Sequence, residues 1–273
     1  MGLTKEEIAR YSRQLILPEV GVGGQERLRR ASVALIGAGG LGSPAALYLA
    51  GSGVGTLGLI DSDEVAASDL HRQLLHATAS LGRAKTESGA ERLRALNPAV
   101  KVRTHRTRLT AENAPELLAG YQLVLDGSDN FPTRYAVNDA CVLGGIPLVH
   151  GGVVQFRGQV LTVLPRRSAC LRCVFPEPPE PGAIPSCREA GVLGPEAGVI
   201  GSLMAHEALK LMLGFGTPLA DRLLVFDGAA SSFRTVPVRR DPACAVCGDH
   251  STIVSLPPAS AGGSCVQHSQ REW

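Results

Sequence analysis

No stretch of this 273-residue chain stays apolar long enough to cross a bilayer. The longest candidate, AALYLAGSGVGTLGLI (45–60), is interrupted by glycines and runs into Asp61, which suits a buried helix and strand rather than a span. A strong charge of either sign is also missing. Lys and Arg number 27 against 25 Asp and Glu, for a formal net charge of +2, so no single-signed field points to nucleic acid or to an anionic membrane. The opening MGLTKEEIAR is charged and lacks the apolar core of a secretory signal, so the expected compartment is the cytoplasm. Internal repeats are absent. So is an even cysteine count: Cys141, Cys170, Cys173, Cys187, Cys244, Cys247 and Cys265 make seven. An odd number in such a chain argues against a disulfide framework and toward metal binding or thiol chemistry.

What is present is 44% hydrophobic residues, enough to bury one large α/β domain. TKEEIARYSRQLIL (4–17) has helical spacing, with Thr4 as N-cap and Pro18 as stop, and GVGGQERLRRA reads as a turn and a short basic helix. Strands are expected at 32–37, 56–61, 100–104, 123–126 and 146–150, with helices near 43–53, 82–96, 111–119 and 132–144 between them. Runs such as SVALIG carry no polar alternation, as befits strands covered on both faces. The rhythm predicts a doubly wound, mostly parallel Rossmann-like sheet with its ligand at the carboxyl ends of the strands. After residue 150 an antiparallel extension is expected: a hairpin turning near Arg157-Gly158, a long helix near 195–214, and strands 223–227 and 233–238. Residues 1–250 then form a single domain, with a nucleotide-binding core at about 30–150 and a C-terminal part at 151–250. The proline-rich segment at about 174–190 reads as an extended crossover loop, and the Ser/Pro/Gly-rich residues 251–273 as a disordered tail.

Gly37, Gly39 and Gly42, with Gly40 between, form a G-x-G-x-x-G turn between a strand and a helix. Such a turn lets a phosphate approach helix amides, and Asp61 ends the next strand where a ribose hydroxyl would sit. This fits NAD as well as ATP. The following segment, DSDEVAASDLHRQLLHATASLGRAK, breaks the tie by supplying Asp61, Asp63, Arg72, Gln73 and Lys85. A nicotinamide ring needs a flat apolar slot. A triphosphate needs cations for the charge that builds as pyrophosphate leaves, and a carboxylate to hold Mg2+. LVLDGSDN adds Asp126, Asp129 and Asn130 at a second strand end. The competing reading is that these are solvated loop charges.

CLRC (170–173) and CAVC (244–247) together offer four soft ligands, the number a closed tetrahedral Zn2+ site uses. Zinc there would staple the chain end to the base of the crossover; two separate dithiols are the alternative. Cys187 stands apart, beside Arg188, where a cation lowers a thiol pKa; it is either a reactive thiol or an incidental one. Cys141 reads as a buried helix residue.

Taken together, RYSRQ (10–14), GAGGLGS (37–43), DSDEVAASDLHRQ (61–73), GRAK (82–85), DGSDN (126–130), the two C-x-x-C pairs and SCREAGVLGP (186–195) resemble the MoeB/ThiF adenylyltransferases, relatives of the ubiquitin-activating enzymes. The resemblance implies that Mg-ATP and a small ubiquitin-fold sulfur-carrier protein ending in Gly-Gly bind here. The carrier's carboxylate would attack the α-phosphorus, giving an acyl-adenylate and pyrophosphate for later thiocarboxylate formation. Asp61 would hold the ribose, Gly39 and its neighbours the phosphates, Arg72 and Lys85 the polyphosphate charge, and Asp129 the Mg2+. Arg13 would reach the nucleotide of a second subunit, implying a homodimer; read from the residues alone it is an exposed helix cation. Cys187 matches the position of a cysteine that can bond the carrier covalently. The sulfur donor would be a separate protein. One position departs from the family pattern: SDLHRQ has Asp69 where Asn is usual. A carboxylate cannot donate to a phosphate, so Asp69 either faces a metal or solvent or alters ATP affinity. The alternatives carried forward are an NAD(P)-dependent oxidoreductase with structural zinc, a non-catalytic scaffold, and a tRNA-modifying member of the same family.

Overall fold

The computed structural model describes residues 2–179 and 187–257, with Cys187 and Arg188 described by backbone alone. The middle of the expected crossover, 180–186, and the tail from 258, with Cys265, lie outside the described residues.

Two N-terminal helices, α1 (Lys5–Leu15) and α2 (Gly21–Arg30), precede the alternating core. Thr4 caps α1 as its sequence suggests: its Oγ1 accepts from the Glu7 N–H at 3.2 Å, while Glu7 accepts from the Thr4 N–H at 2.8 Å. The core runs β1 (Ser32–Ile36), α3 (Gly42–Gly51), β2 (Thr56–Ile60), α4 (Lys85–Leu96), β3 (Lys101–His105), α5 (Ala114–Leu118), β4 (Leu123–Asp126), α6 (Phe131–Gly144) and β5 (Leu148–Val154). Then follow β6 (Arg157–Val163), the short α7 (Leu171–Val174) and α8 (Cys187–Ala190), the long α9 (Gly194–Leu213), β7 (Arg222–Asp227) and β8 (Ser232–Pro237).

All eight strands form one sheet in the order β3-β2-β1-β4-β5-β6-β7-β8. Pairing is parallel from β3 to β5 and antiparallel from β5 to β8. The fifth parallel strand and the first arm of the expected hairpin are one element: β5 pairs parallel with β4 through Val124–Leu148 and antiparallel with β6 through Val154–Arg157. The turn falls at Gln155-Phe156, not at Arg157-Gly158. Gly158 is glycine for packing, because a Cβ there would collide with Ile200 of α9.

Two apolar clusters sandwich the sheet. On one face Leu35, Leu49, Leu57 and Leu59 pack with Ile200 and Met204 of α9; on the other Leu118, Val137, Leu148 and Val163 pack around α5 and α6. Truncating any of these fully buried leucines to alanine costs about 2–5 kcal/mol. Ile253 and Leu256 also pack against the second cluster. No helix among the described residues is long and apolar enough to cross a membrane.

Strand order fixes where a ligand can enter. The chain leaves β1 toward β2 on one side, while β4 lies on the other side of β1. The loops after β1 and β4 therefore diverge and open a crevice at their carboxyl ends.

Candidate active site

An open cleft occupies that crevice, lined by the loops after β1, β2 and β4. Its floor is the glycine turn. Gly37 has φ +88°, and a Cβ there would stand 3.1 Å from the Gly127 carbonyl oxygen of the β4 loop, so the two strand ends close up only around glycine. Gly42 cannot carry a side chain because its Cβ would strike the Gly37 carbonyl. The turn leads into α3, which starts without a side-chain cap and presents its positive dipole end beside Gly39 and Gly40, both of which line the cleft. Asp61 braces this turn: its carboxylate accepts from the Ala38 N–H and from the Asp63 N–H, both at 2.8 Å. Burial pushes the Asp61 carboxyl above its ordinary value, a push partly offset by those N–H donors and by Lys85.

Arg72 and Lys85 line the same cleft. Between them sits Asp69, buried, with both oxygens engaged. Oδ1 accepts from Arg72 at 3.2 Å and from Gln73 at 3.0 Å; Oδ2 accepts from the Ala66 N–H at 3.1 Å and lies 3.4 Å from Lys85 Nζ. Lys85 is shared with Asp63, also at 3.4 Å. Asp69 is thus turned away from solvent. It holds the cations, and the cations face the cleft.

At the other wall β4 ends in Asp126, fully buried and bonded to His150 Nδ1 of β5 at 2.8 Å. Burial would raise this carboxyl, but the hydrogen bond from His150 leads the interactions that outweigh it and hold it below the ordinary value; the Ser128 N–H also donates to it, at 3.0 Å. The dyad fixes the loop that presents Asp129, exposed at the cleft mouth. Asn130 lines the cleft too, yet its side-chain oxygen is used to cap α6 at the Thr133 N–H. Arg134 reaches back to the Ser128 carbonyl with two nitrogens, at 3.2 and 3.1 Å. Among the described residues Gln73 Oε1 and Ser128 Oγ are buried without a partner, and both residues line the cleft. Unsatisfied polar atoms there are what a polar ligand would meet.

The cysteine pairs converge on the far side of α6. Cys170, Cys173, Cys244 and Cys247 have ligand atoms all within 4.8 Å of one another, with Sγ–Sγ distances of 3.3 to 3.8 Å among the bonded pairs. A tetrahedral ion with bonds of about 2.3 Å to sulfur needs edges of about 3.8 Å, so the set fits a four-thiolate metal site. Hydrogen bonds from Cys170 and Cys247 push the Cys173 thiol below its ordinary value.

Comparison with known proteins agrees with this geometry. The ThiF family model matches residues 11–246. The chain belongs to the ThiF family. It is 55% identical over 257 residues to the sulfur carrier protein adenylyltransferase of Thermus thermophilus, covering 92% of this chain and 95% of that protein. It is 50% identical over 255 residues to the adenylyltransferase and sulfurtransferase MOCS3 of Anopheles gambiae, and 49% identical over 245 residues to the probable adenylyltransferase/sulfurtransferase MoeZ of Mycobacterium tuberculosis. The chain spans 58% of the MOCS3 protein and 62% of MoeZ. Among solved structures, E. coli MccB superposes with a TM-score of 0.79 at 22% identity, covering 88% of this chain and 74% of that one, a likeness of fold.

Within this ThiF-family chain, Gly37, Gly39, Gly40, Asp61, Asp63, Arg72, Gln73, Lys85, Asp129 and Asn130 come together around one cleft, as the sequence reading places them. Gly42 does not line the cleft; it serves the turn behind it. Arg13 is exposed on the last turn of α1 and is not among the cleft residues. Cys187 begins α8, and its side chain lies outside the described set. Thr107, Arg108 and Arg134 line the cleft without having been singled out in the sequence, because they belong to no glycine or acidic motif. The buried His76, bonded to the Ala38 carbonyl, escaped for the same reason.

Proposed function

We propose that this chain is an ATP-dependent adenylyltransferase that activates the C-terminal Gly-Gly carboxylate of a small ubiquitin-fold sulfur-carrier protein. The supporting observation is the convergence of two cations, Arg72 and Lys85, with Asp129 across a glycine turn at a strand-order switch point. The relatives' names point the same way, and the oxidoreductase alternative finds no support among them.

In this scheme the ribose hydroxyls meet Asp61, and the phosphates lie along Gly39, Gly40 and the start of α3. Arg72 and Lys85 take up charge on the phosphates, and Asp129 would hold Mg2+, which would add positive charge beside them. An oxygen of the carrier carboxylate forms a bond to the α-phosphorus. The bond from that phosphorus to the bridging oxygen breaks, and its electron pair leaves with pyrophosphate. The four thiolates hold structural Zn2+, since a closed four-sulfur shell leaves no position for a reacting water. A second copy of the chain supplies Arg13, Cys187 is available to take the carrier as a covalent adduct, a separate protein donates the sulfur, and the setting is the cytoplasm.

Calorimetric titration of the zinc-loaded chain with Mg-ATP and, separately, with NADH tests the ligand class. Saturable binding of Mg-ATP, weakened at least tenfold in Lys85→Ala, is expected. Tight binding of NADH with none of Mg-ATP would overturn the proposal.

A further inference from the structure

His76 sits beneath the glycine turn, buried, in the segment between β2 and α4. Its Nε2 lies 2.9 Å from the Ala38 carbonyl oxygen and its Nδ1 3.0 Å from Ser88 Oγ of α4. A carbonyl can only accept, so Nε2 carries the proton, and Nδ1 is left to accept from the serine hydroxyl. Burial, helped by the Lys85 charge, outweighs the pull of the Ala38 carbonyl and of the Asp61 and Asp69 carboxylates and holds this imidazole below its usual value.

Ala38 is therefore gripped from both ends. Its N–H donates to Asp61 at 2.8 Å, and its carbonyl accepts from His76. The chain has no cis peptide bond among its described residues, and in a trans peptide the carbonyl of one residue and the N–H of the next point in opposite directions. Turning the Ala38 carbonyl down onto His76 turns the Gly39 N–H the other way. Gly39 lines the cleft.

Building on the nucleotide reading above, we propose that His76 is a positioning residue: by holding the Ala38 carbonyl it aims the Gly39 N–H at the bound phosphates. It touches neither nucleotide nor carrier. Without it, the Ala38 carbonyl keeps only the longer hydrogen bond from Ser43 Oγ, at 3.4 Å, and the Gly39 donor is less firmly preset for the anion.

Two substitutions separate aim from mere packing. In His76→Gln the amide nitrogen falls where Nε2 was and can still donate to Ala38. In His76→Asn the amide reaches only the Nδ1 position, keeping Ser88 and losing Ala38. Mg-ATP binding is measured by calorimetry on the zinc-loaded full chain, alongside thermal midpoints and steady-state KM and kcat. We expect His76→Asn to weaken Mg-ATP binding about tenfold and to raise the ATP KM correspondingly, with kcat changed much less, whereas His76→Gln stays within about threefold of the parent. Equal binding by both variants and the parent, or equal loss in both, overturns the inference. If His76→Asn does not fold, His76→Gln binding Mg-ATP as the parent does upholds it, and a tenfold loss in that variant overturns it. Failure of the unmodified chain to bind Mg-ATP overturns the nucleotide reading itself, an outcome distinct from either variant result.

Discussion

Two cations and one amide share the Asp69 carboxylate, so its charge is balanced inside the protein and is not turned on the ligand. Read from the sequence, this residue was a difficulty, because a carboxylate beside a triphosphate repels it. The spacing Asp69, Arg72, Gln73 hid the answer: in the turn that follows the 3-10 segment Ala67–Asp69, residues three and four apart fold back onto one another. Lys85, far along the chain, completes the set, and no local pattern announces it. Removing the carboxylate takes one of two ion-pair partners from the nearly buried Lys85, leaving Asp63 at 3.4 Å. Asp69→Ala is expected to lose about 1–3 kcal/mol of unfolding free energy, read as a lower urea midpoint at unchanged m value. A loss under about 0.5 kcal/mol, within the range of an ordinary surface substitution, would show that the network is not structural.

Helices and strands were legible wherever burial is uniform. β1, β2 and β4 fall within a residue of their expected limits because unbroken apolar runs mark strands covered on both faces. Glycine misled the reading where it serves packing. Gly158 looked like a turn, but it is the gap that admits Ile200, and the actual turn places Gln155 at φ +52°. Longer-range joins were invisible for a different reason: nothing local says that β5 serves two partners. The two cysteine knuckles, by contrast, were plain from spacing, because tetrahedral chemistry fixes both number and softness of ligands. The element they form joins α7 to the loop after β8. Metal analysis of the purified chain is expected to give one zinc per chain, lost in Cys247→Ser with a lower thermal midpoint. A metal-free chain with two disulfides, Cys170–Cys173 and Cys244–Cys247, would contradict the staple.

At the scale of the whole molecule, one sheet carries both halves of the proposed task. Its parallel half ends in the nucleotide cleft, and its antiparallel half extends from β5, the strand whose His150 steadies Asp126. Arg13 stands exposed on α1 and is not among the residues that line the cleft. If a second copy supplies it, Arg13→Ala and Lys85→Ala chains are each inactive alone. Unfolded together and refolded, they should regain about a quarter of the parent activity, because half the dimers then hold one intact site of two. No recovery, with mixed dimers verified by mass, would place Arg13 in its own chain's site, and an Arg13→Ala chain that is active alone would place it outside the reaction.

The most direct test of the central claim is exchange of radiolabelled pyrophosphate into ATP. The zinc-loaded chain, with Mg2+ and a Gly-Gly-ended carrier, should catalyse exchange that vanishes in Asp129→Ala and when the carrier's last glycine is removed. No exchange above background with a verified carrier, or exchange unchanged by either deletion, would contradict it.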